Sequence, residues 1–275
     1  MKIGISLSEG GIPGVFAHIG FLKALNDLKI DYSCIAGTSA GSIVGAFIAD
    51  GKDVSWLENF ALNMKASSYL EPITIIKILK ILWSEGKNFW GIYEGNLMLQ
   101  MLKKNLAVDD FAKTVKKLYI HATNADNGTI RVFDSGPISD AVRCSLSIPG
   151  VFYPMLLDGH RYIDGGVTQT DMTNLLLEKE KPDFIIAHFP HKKLTPLANQ
   201  EFPILEVINR SIQIVHRALE NLEFEQIKSK KVILVQNDLQ TNPQVGVLGF
   251  DVNKAKQLIE EVRAETIAKL RDIKF

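Results

Sequence analysis

The sequence predicts an α/β fold in three layers, with a mostly parallel central sheet flanked by helices on both faces. Short apolar segments of strand-like composition alternate with longer segments whose apolar residues recur at helical spacing. The intervening helices are long enough to serve as the crossovers that parallel strands require. The chain shows no internal repeat and no clear linker, so residues 1–275 are expected to form a single domain.

The first half of the chain gives the elements that begin the sheet. A strand is predicted over residues 2–7, and a glycine-rich loop leads from it into a helical pattern over 15–28. A short apolar run at 34–36 precedes a helix-like run at 43–49. An amphipathic helix is then predicted to begin at Asp53.

The second half continues the alternation of strands and helices. Residues 118–123 and 129–133 are predicted strands joined across Asn127-Gly128, a strong hairpin signal. Further buried strands are expected at 183–188 and 231–235, and further helices at 204–222 and 252–273, the last capped by Asp251.

Composition excludes several classes of protein. Lys and Arg balance Asp and Glu at 31 each, so nothing indicates a nucleic-acid partner held by bulk charge. Cys34 and Cys144 do not make a disulfide framework, and buried, reduced thiols are expected. No basic leader with an apolar core opens the sequence, and no apolar run has the roughly 18–20 residues that span a bilayer. A cytoplasmic protein is therefore expected, with peripheral contact at a membrane left open.

The most informative motif is Gly37-Thr38-Ser39-Ala40-Gly41. It places a serine between two glycines, after a predicted strand and before a predicted helix, which is the layout of a nucleophile elbow. Gly37 and Gly41 fit positions where the turn brings backbone segments too close for a Cβ atom. The N-terminus of the following helix would point its N–H groups at the place where an oxyanion develops.

Two further segments complete a candidate site. The loop over residues 8–14 is rich in small residues, and Gly10 and Gly11 are the candidate oxyanion donors through their backbone N–H groups. Such a loop could instead cradle a phosphate, but it lacks the dinucleotide fingerprint and a P-loop lysine. Asp164 ends a short predicted strand and is followed by Gly165 and Gly166; alone, this pattern is more typical of a turn.

Taken together, these motifs resemble the patatin-like phospholipase family almost from end to end. The resemblance is carried by five segments in the family's order: the helix 16–25, the elbow 37–41, Ser135-Gly136-Pro137, the run 147–152, and Asp164-Gly165-Gly166-Val167. The match weakens over 168–173, which lacks the Asn-Leu-Pro that commonly follows the acid motif.

The resemblance implies a Ser–Asp dyad that hydrolyses acyl esters of lipids, without a catalytic histidine, a metal or a cofactor. Ser39 would be the nucleophile and Asp164 the general base. A Ser–Asp–His hydrolase carries its histidine late in the chain, and none follows His216. Structural or surface roles are expected for all six histidines, namely His18, His121, His160, His188, His191 and His216.

The first loop departs from the family pattern of three glycines, a variable residue, a basic residue and a glycine. Glu9 brings a carboxylate to a site that should stabilise negative charge, unless it points to solvent, and Pro13 removes a basic side chain and an N–H group. An active enzyme is expected. The alternatives are a slow or inactive acyl-binding homologue, or an acyltransferase that uses the same dyad.

A nearly continuous apolar segment from Ile73 to Trp83, with a narrow polar stripe, fits an interfacial or lid helix within residues 69–95. A core helix or a dimer contact explains the pattern equally well. The expected partners are a lipid or other acyl-ester substrate and a transient membrane surface. Head group, chain length and oligomeric state are not specified by the sequence.

Overall fold

The computed structural model describes residues 1–74, 83, 90–192, 203–227, 231–245 and 249–273. Within them, the strands are β1 (Ile3–Leu7), β2 (Cys34–Gly37), β3 (Gly91–Tyr93), β4 (Lys117–Asn124), β5 (Ile130–Phe133), β6 (Gly150–Phe152), β7 (Met155–Leu157), β8 (His160–Ile163), β9 (Phe184–Lys192), β10 (Val232–Leu239), β11 (Gln244–Val245) and β12 (Gly249–Phe250). The helices are α1 (Gly11–Asp27), α2 (Ala40–Ala49), α3 (Val54–Asn63), α4 (Asn96–Asn105), α5 (Ile138–Ser145), α6 (Thr173–Lys179), α7 (Pro203–Gln226) and α8 (Val252–Leu270).

The central sheet has eight strands in the order β10-β9-β1-β2-β4-β8-β7, with β5 also paired to β4. The five strands from β10 to β4 run parallel, as the helical crossovers between them require. The pairings of β4 with β8, of β8 with β7 and of β4 with β5 are antiparallel. The predicted α/β fold with a mostly parallel sheet is therefore confirmed.

Helices cover both faces of this sheet. On one face, Ile5, Ile35 and Ile186 belong to the main core, to which α1, α2 and α8 contribute most of the buried helical residues. On the other face, Cys34 and neighbouring small and apolar side chains of β4 and β9 pack with Leu176 of α6. Adjacent strand residues enter different cores because successive side chains of a strand point to opposite faces. This gives the three predicted layers.

The pairing of β4 with its neighbours β2 and β8 determines where the site lies. Along one edge of β4, residues 117–120 pair with β2, whereas Thr123 and Asn124 pair with β8. Because β8 runs antiparallel to β4, the end of β2 and the end of β8 approach each other along this edge. The residues that follow the two strands therefore meet.

Most of the predicted helices and strands are present, and some begin or end at other residues than predicted. Helix α1 begins at Gly11, earlier than the predicted start at residue 15, because the small residues of the loop already form its first turn. The strands β9 and β10 extend further than predicted, to Lys192 and Leu239. The hairpin across Asn127-Gly128 is confirmed by the antiparallel pairing of β4 with β5.

The predicted N-cap Asp251 is confirmed, and Asp53, where a helix was predicted to begin, is the N-cap of α3. The side chain of Asp53 accepts from the backbone N–H of Trp56, and that of Asp251 accepts from the N–H groups of Asn253 and Lys254. Cys34 and Cys144 are buried, free thiols, as expected.

Of the predicted interfacial or lid segment, residues 75–82 and 84–89 lie outside the described residues, while 91–93 form β3. Among the helices of the described ranges, none combines the length and the apolar character that a membrane span needs.

Candidate active site

Ser39 lies at the sharp turn between β2 and α2, in the elbow that the motif predicted. Its backbone has φ +47° and ψ −114°, a region that non-glycine residues rarely occupy. Such a conformation costs about 1–3 kcal/mol and persists only where the surroundings enforce it. The two flanking glycines make it feasible, since a Cβ on Gly37 would lie 2.4 Å from the carbonyl oxygen of Gly41, and one on Gly41 would lie 2.1 Å from that of Leu7.

Asp164 follows β8 and faces this turn. The Ser39 hydroxyl donates to Asp164 Oδ2 at 2.6 Å, which brings together residues 125 positions apart in the sequence. The other carboxylate oxygen, Oδ1, accepts from the backbone N–H of Gly166 at 2.8 Å. The backbone of Asp164 is also fixed, because its N–H donates to the Ser147 carbonyl and its carbonyl accepts from the Thr123 hydroxyl.

The environment of Asp164 changes its acidity. Ser39 is 3% exposed and Asp164 is 7% exposed, so the carboxylate has lost most of its hydration. Burial raises the pKa of Asp164 to about 7, against the opposing effect of the hydrogen bonds from Ser39 and Gly166. A carboxylate with this pKa is a much better proton acceptor near neutral pH than an ordinary aspartate.

His121 on β4 connects the two halves of the site. Its Nε2 lies 3.0 Å from the Gly165 carbonyl oxygen, and its Nδ1 lies 3.0 Å from the Thr38 hydroxyl. Because a carbonyl can only accept, Nε2 carries the hydrogen and Nδ1 accepts from Thr38 in the neutral ring. Complete burial lowers the pKa of His121 to about 4, which keeps it neutral. No motif around His121 indicates this link.

The backbone N–H of Ser39 is already occupied. It donates to the Ser145 hydroxyl, at the end of α5, at 2.9 Å. The N–H of Ser39 is therefore not a candidate oxyanion donor. The loop before α1 lies close by, since a Cβ on Gly14 would be 3.2 Å from the Cβ of Ala40.

Gly10 and Gly11 stand at the start of α1, where helical N–H groups have no acceptor inside the helix. Within the described residues, neither N–H donates to a protein acceptor. Pro13 lies in the first turn, where a missing N–H breaks no helical hydrogen bond. The substitution of a basic residue by Pro13 is therefore compatible with the helix.

Glu9 is neither turned to solvent nor left unpaired. Its Oε1 lies 3.0 Å from Nδ1 of His216, on α7. The side chains of Glu9 and His216 are 20% and 22% exposed. Of the two expectations for the Glu9 carboxylate, the solvent-facing one is wrong: the group lies beside the site in a half-buried pair with His216.

The remaining histidines serve the structure, as expected. His18 and His188 are fully buried and hydrogen-bonded to each other through their Nδ1 atoms, while His160 lies on the surface beside Asp126. None of the hydrogen bonds found among the described residues joins a histidine to Ser39 or to the Asp164 carboxylate.

The fold and the paired side chains define a three-layer α/β protein with a serine–aspartate site at the meeting point of two strands. The chain belongs to the patatin-like phospholipase family, whose model matches residues 7–177. The matched range includes the elbow, the loop before α1 and Asp164 with its two glycines.

Curated relatives match part of the chain. An uncharacterized NTE family protein of Mycobacterium tuberculosis (strain ATCC 25618 / H37Rv) is 31% identical over 60% of this chain and 43% of the relative. A lysophospholipase NTE1 of Coccidioides immitis (strain RS) is 29% identical over 60% of this chain and 10% of the relative. The chain thus spans less than half the length of these relatives.

Two solved structures share the fold. VipD from Legionella pneumophila aligns with 98% of this chain and 66% of its own, with a TM-score of 0.50 and 13% identity. Full-length ExoU of Pseudomonas aeruginosa, in complex with SpcU, aligns with 98% of this chain and 52% of its own, with a TM-score of 0.51 and 12% identity.

Proposed function

We propose that the chain is a serine hydrolase that cleaves acyl ester bonds of lipids through a Ser39–Asp164 dyad. The observation that carries the proposal is the 2.6 Å hydrogen bond from the Ser39 hydroxyl to the buried Asp164 carboxylate. Membership of the patatin-like phospholipase family supports a lipid ester as substrate, as does a relative named as a lysophospholipase.

In the first half of the reaction, Ser39 Oγ attacks the ester carbonyl carbon while Asp164 takes the hydroxyl proton. The carbonyl oxygen becomes an oxyanion, which accepts from the N–H groups of Gly10 and Gly11. When the intermediate collapses, the carbon–oxygen bond to the alcohol breaks, and Asp164 returns the proton to the leaving oxygen. An acyl-enzyme remains on Ser39.

In the second half, water replaces the alcohol. Asp164 takes a proton from the water as its oxygen attacks the acyl carbon, and the bond to Ser39 Oγ then breaks with return of the proton to Ser39. The fatty acid leaves and the dyad is restored. The His121 links to Thr38 and Gly165 fix the two turns relative to each other, so that the reacting atoms keep their spacing.

The first test replaces each member of the dyad. Ser39→Ala and Asp164→Asn should each lower turnover of p-nitrophenyl esters by at least about 100-fold, because each removes a group required for the chemical step. Ser39→Ala should also abolish labelling by a fluorophosphonate. Ser67→Ala, which changes an exposed serine, is the matched control and should keep parental activity.

The outcomes separate the proposal from its alternatives. If either dyad variant keeps near-parental turnover at matched purity, the role of that residue is wrong. A folded parent protein that co-purifies with lipid but shows neither labelling nor turnover is an acyl-binding homologue. Transfer of the acyl group to an added alcohol in preference to water would identify an acyltransferase.

A further inference from the structure

The pair formed by Glu9 and His216 has no part in the dyad, yet it lies beside it. Oε1 of Glu9 can only accept when ionised, so Nδ1 of His216 donates across the 3.0 Å between them. Glu9 immediately precedes the two glycines proposed as oxyanion donors. The negative charge of Glu9 therefore lies in the same loop that is proposed to bind the oxyanion.

Contacts show how close Glu9 comes to the acid. Its side-chain stem lies over Gly166, since a Cβ on Gly166 would be 3.3 Å from Cγ of Glu9. Gly166 in turn donates its N–H to the Asp164 carboxylate. Burial is the main cause of the raised pKa of Asp164. The negative charge of Glu9 raises this pKa further, and the positive charge of His216 lowers it.

His216 is held in place independently of this pair. On the same face of α7, Glu220 Oε2 lies 3.0 Å from Nε2 of His191, and Glu223 accepts from the backbone N–H of Thr170 at 2.9 Å. Residues 216, 220 and 223 follow helical spacing, so these three contacts lie along one face of α7. Removal of the His216 charge leaves the other two contacts intact.

We propose that His216 is a positioning residue that acts through Glu9: its imidazolium neutralises the carboxylate and so keeps the loop before α1 competent to stabilise an oxyanion. This inference rests on the proposed function. It explains how the chain accommodates an acidic residue where the patatin-like pattern has glycine.

The ionic state of the pair depends on pH in a defined direction. Burial lowers the pKa of His216, but the hydrogen bond and charge of Glu9 outweigh it, with smaller contributions from Asp164 and Glu220, so the pKa is raised above 6.5. Above that raised pKa, His216 becomes neutral and the Glu9 charge is no longer balanced. Turnover is then expected to fall on the alkaline side.

The test is a double-mutant cycle on ester turnover. His216→Gln should lower kcat about five- to tenfold with little change in KM, because an unbalanced charge near the site opposes the oxyanion. Glu9→Gln combined with His216→Gln should restore near-parental kcat and remove the alkaline fall in activity. His160→Gln, which changes a surface histidine paired with Asp126, is the matched control and should have no effect.

Three results would overturn the proposal: parental kcat in His216→Gln, no recovery in the double variant, or an unchanged alkaline fall in it. An NMR titration of His216 gives a readout that needs no turnover, since its pKa should drop in Glu9→Gln. Failure of the proposed function itself is recognised separately, because the parent protein would then neither turn over esters nor react with a fluorophosphonate.

Discussion

At the scale of single residues, the proposed chemistry depends on how burial alters the carboxylate of Asp164. An ordinary aspartate is too weak a base to take a proton from an alcohol efficiently. Asp164 loses its hydration inside the protein, and its pKa rises from 3.8 to about 7. The hydrogen bonds from Ser39 and Gly166 keep the ionised form accessible, so the group can exchange a proton near neutral pH.

The pH dependence of turnover follows from this shift. Only the ionised carboxylate can act as base, so the acidic limb of kcat/KM should rise with pH and reach half of its maximum near the Asp164 pKa of about 7, before the alkaline fall expected from His216. The measurement is hydrolysis of a neutral p-nitrophenyl ester between about pH 5 and pH 9, corrected for spontaneous hydrolysis. A profile already at its plateau near pH 5 would mean that Asp164 has an ordinary pKa or is not the base.

The raised pKa of Asp164 also predicts that the ionised carboxylate, which the proposed reaction needs, destabilises the folded protein. The folded-state pKa of Asp164 is raised, so the ionised carboxylate costs folding free energy that increases as pH rises from the unfolded value towards about 7. Asp164→Asn cannot ionise and should unfold at a higher temperature than the parent protein at pH 8, with a smaller difference at pH 5. Calorimetry at the two pH values measures this. Equal melting temperatures at both would argue against a desolvated carboxylate.

At the scale of elements, β4 aligns the site because two strands share one of its edges. The end of β2 leads into Ser39 and the end of β8 leads into Asp164, and His121 occupies the interval of β4 between the two pairings. Its ring contacts Thr38 on one side and Gly165 on the other. The distance between the Ser39 hydroxyl and the Asp164 carboxylate is therefore set by a strand, which is a rigid support.

Replacement of His121 tests this arrangement. His121→Phe keeps an aromatic ring but leaves the buried Thr38 hydroxyl without its acceptor, whereas the Gly165 carbonyl loses one hydrogen bond and still accepts from the N–H groups of Thr168 and Gln169. The unpaired hydroxyl should cost about 1–3 kcal/mol and the lost bond to Gly165 about 0.5–1.5 kcal/mol, so the free energy of unfolding should fall by about 1.5–4.5 kcal/mol. Urea denaturation measures the loss, and Thr38→Val, which removes one of the two contacts, should cost about half as much. An unchanged midpoint in His121→Phe would show that the link carries no stability.

The elbow and the acid could be recognised from sequence because both depend on local chemistry. Glycines at 37 and 41 mark a turn that excludes side chains, and Asp164 is marked by the glycines that follow it. The contact between Ser39 and Asp164 depends instead on the register of β8 against β4. The Glu9–His216 pair joins residues 207 positions apart, and nothing local in either segment indicates it.

At the scale of the whole molecule, the sheet extends beyond the range that the family model matches. That range ends at residue 177, yet β1 pairs with β9, and α1 packs against α8. Ala255, Leu258, Ile259 and Val262 of α8 are buried in the main core. The later elements therefore complete the same core that supports α1 and, through it, the loop with the candidate oxyanion donors.

Gly20 is the point at which this packing can be tested with the smallest change. A Cβ at Gly20 would lie 2.4 Å from the Ile259 carbonyl oxygen and 3.1 Å from Cβ of Val262, so Gly20→Ala must push α8 away from α1. Overpacking of this kind typically costs about 1–3 kcal/mol, which urea denaturation would detect.

Gly128→Asn is the control, because nothing lies within 4 Å of its Cβ position and asparagine tolerates the turn's φ of +74°. Ester turnover should fall in Gly20→Ala, since the loop with the proposed oxyanion donors leads into α1, and remain parental in Gly128→Asn. Parental stability in Gly20→Ala would mean that α8 is free to move away from α1 without cost, and that the later elements do not support the site.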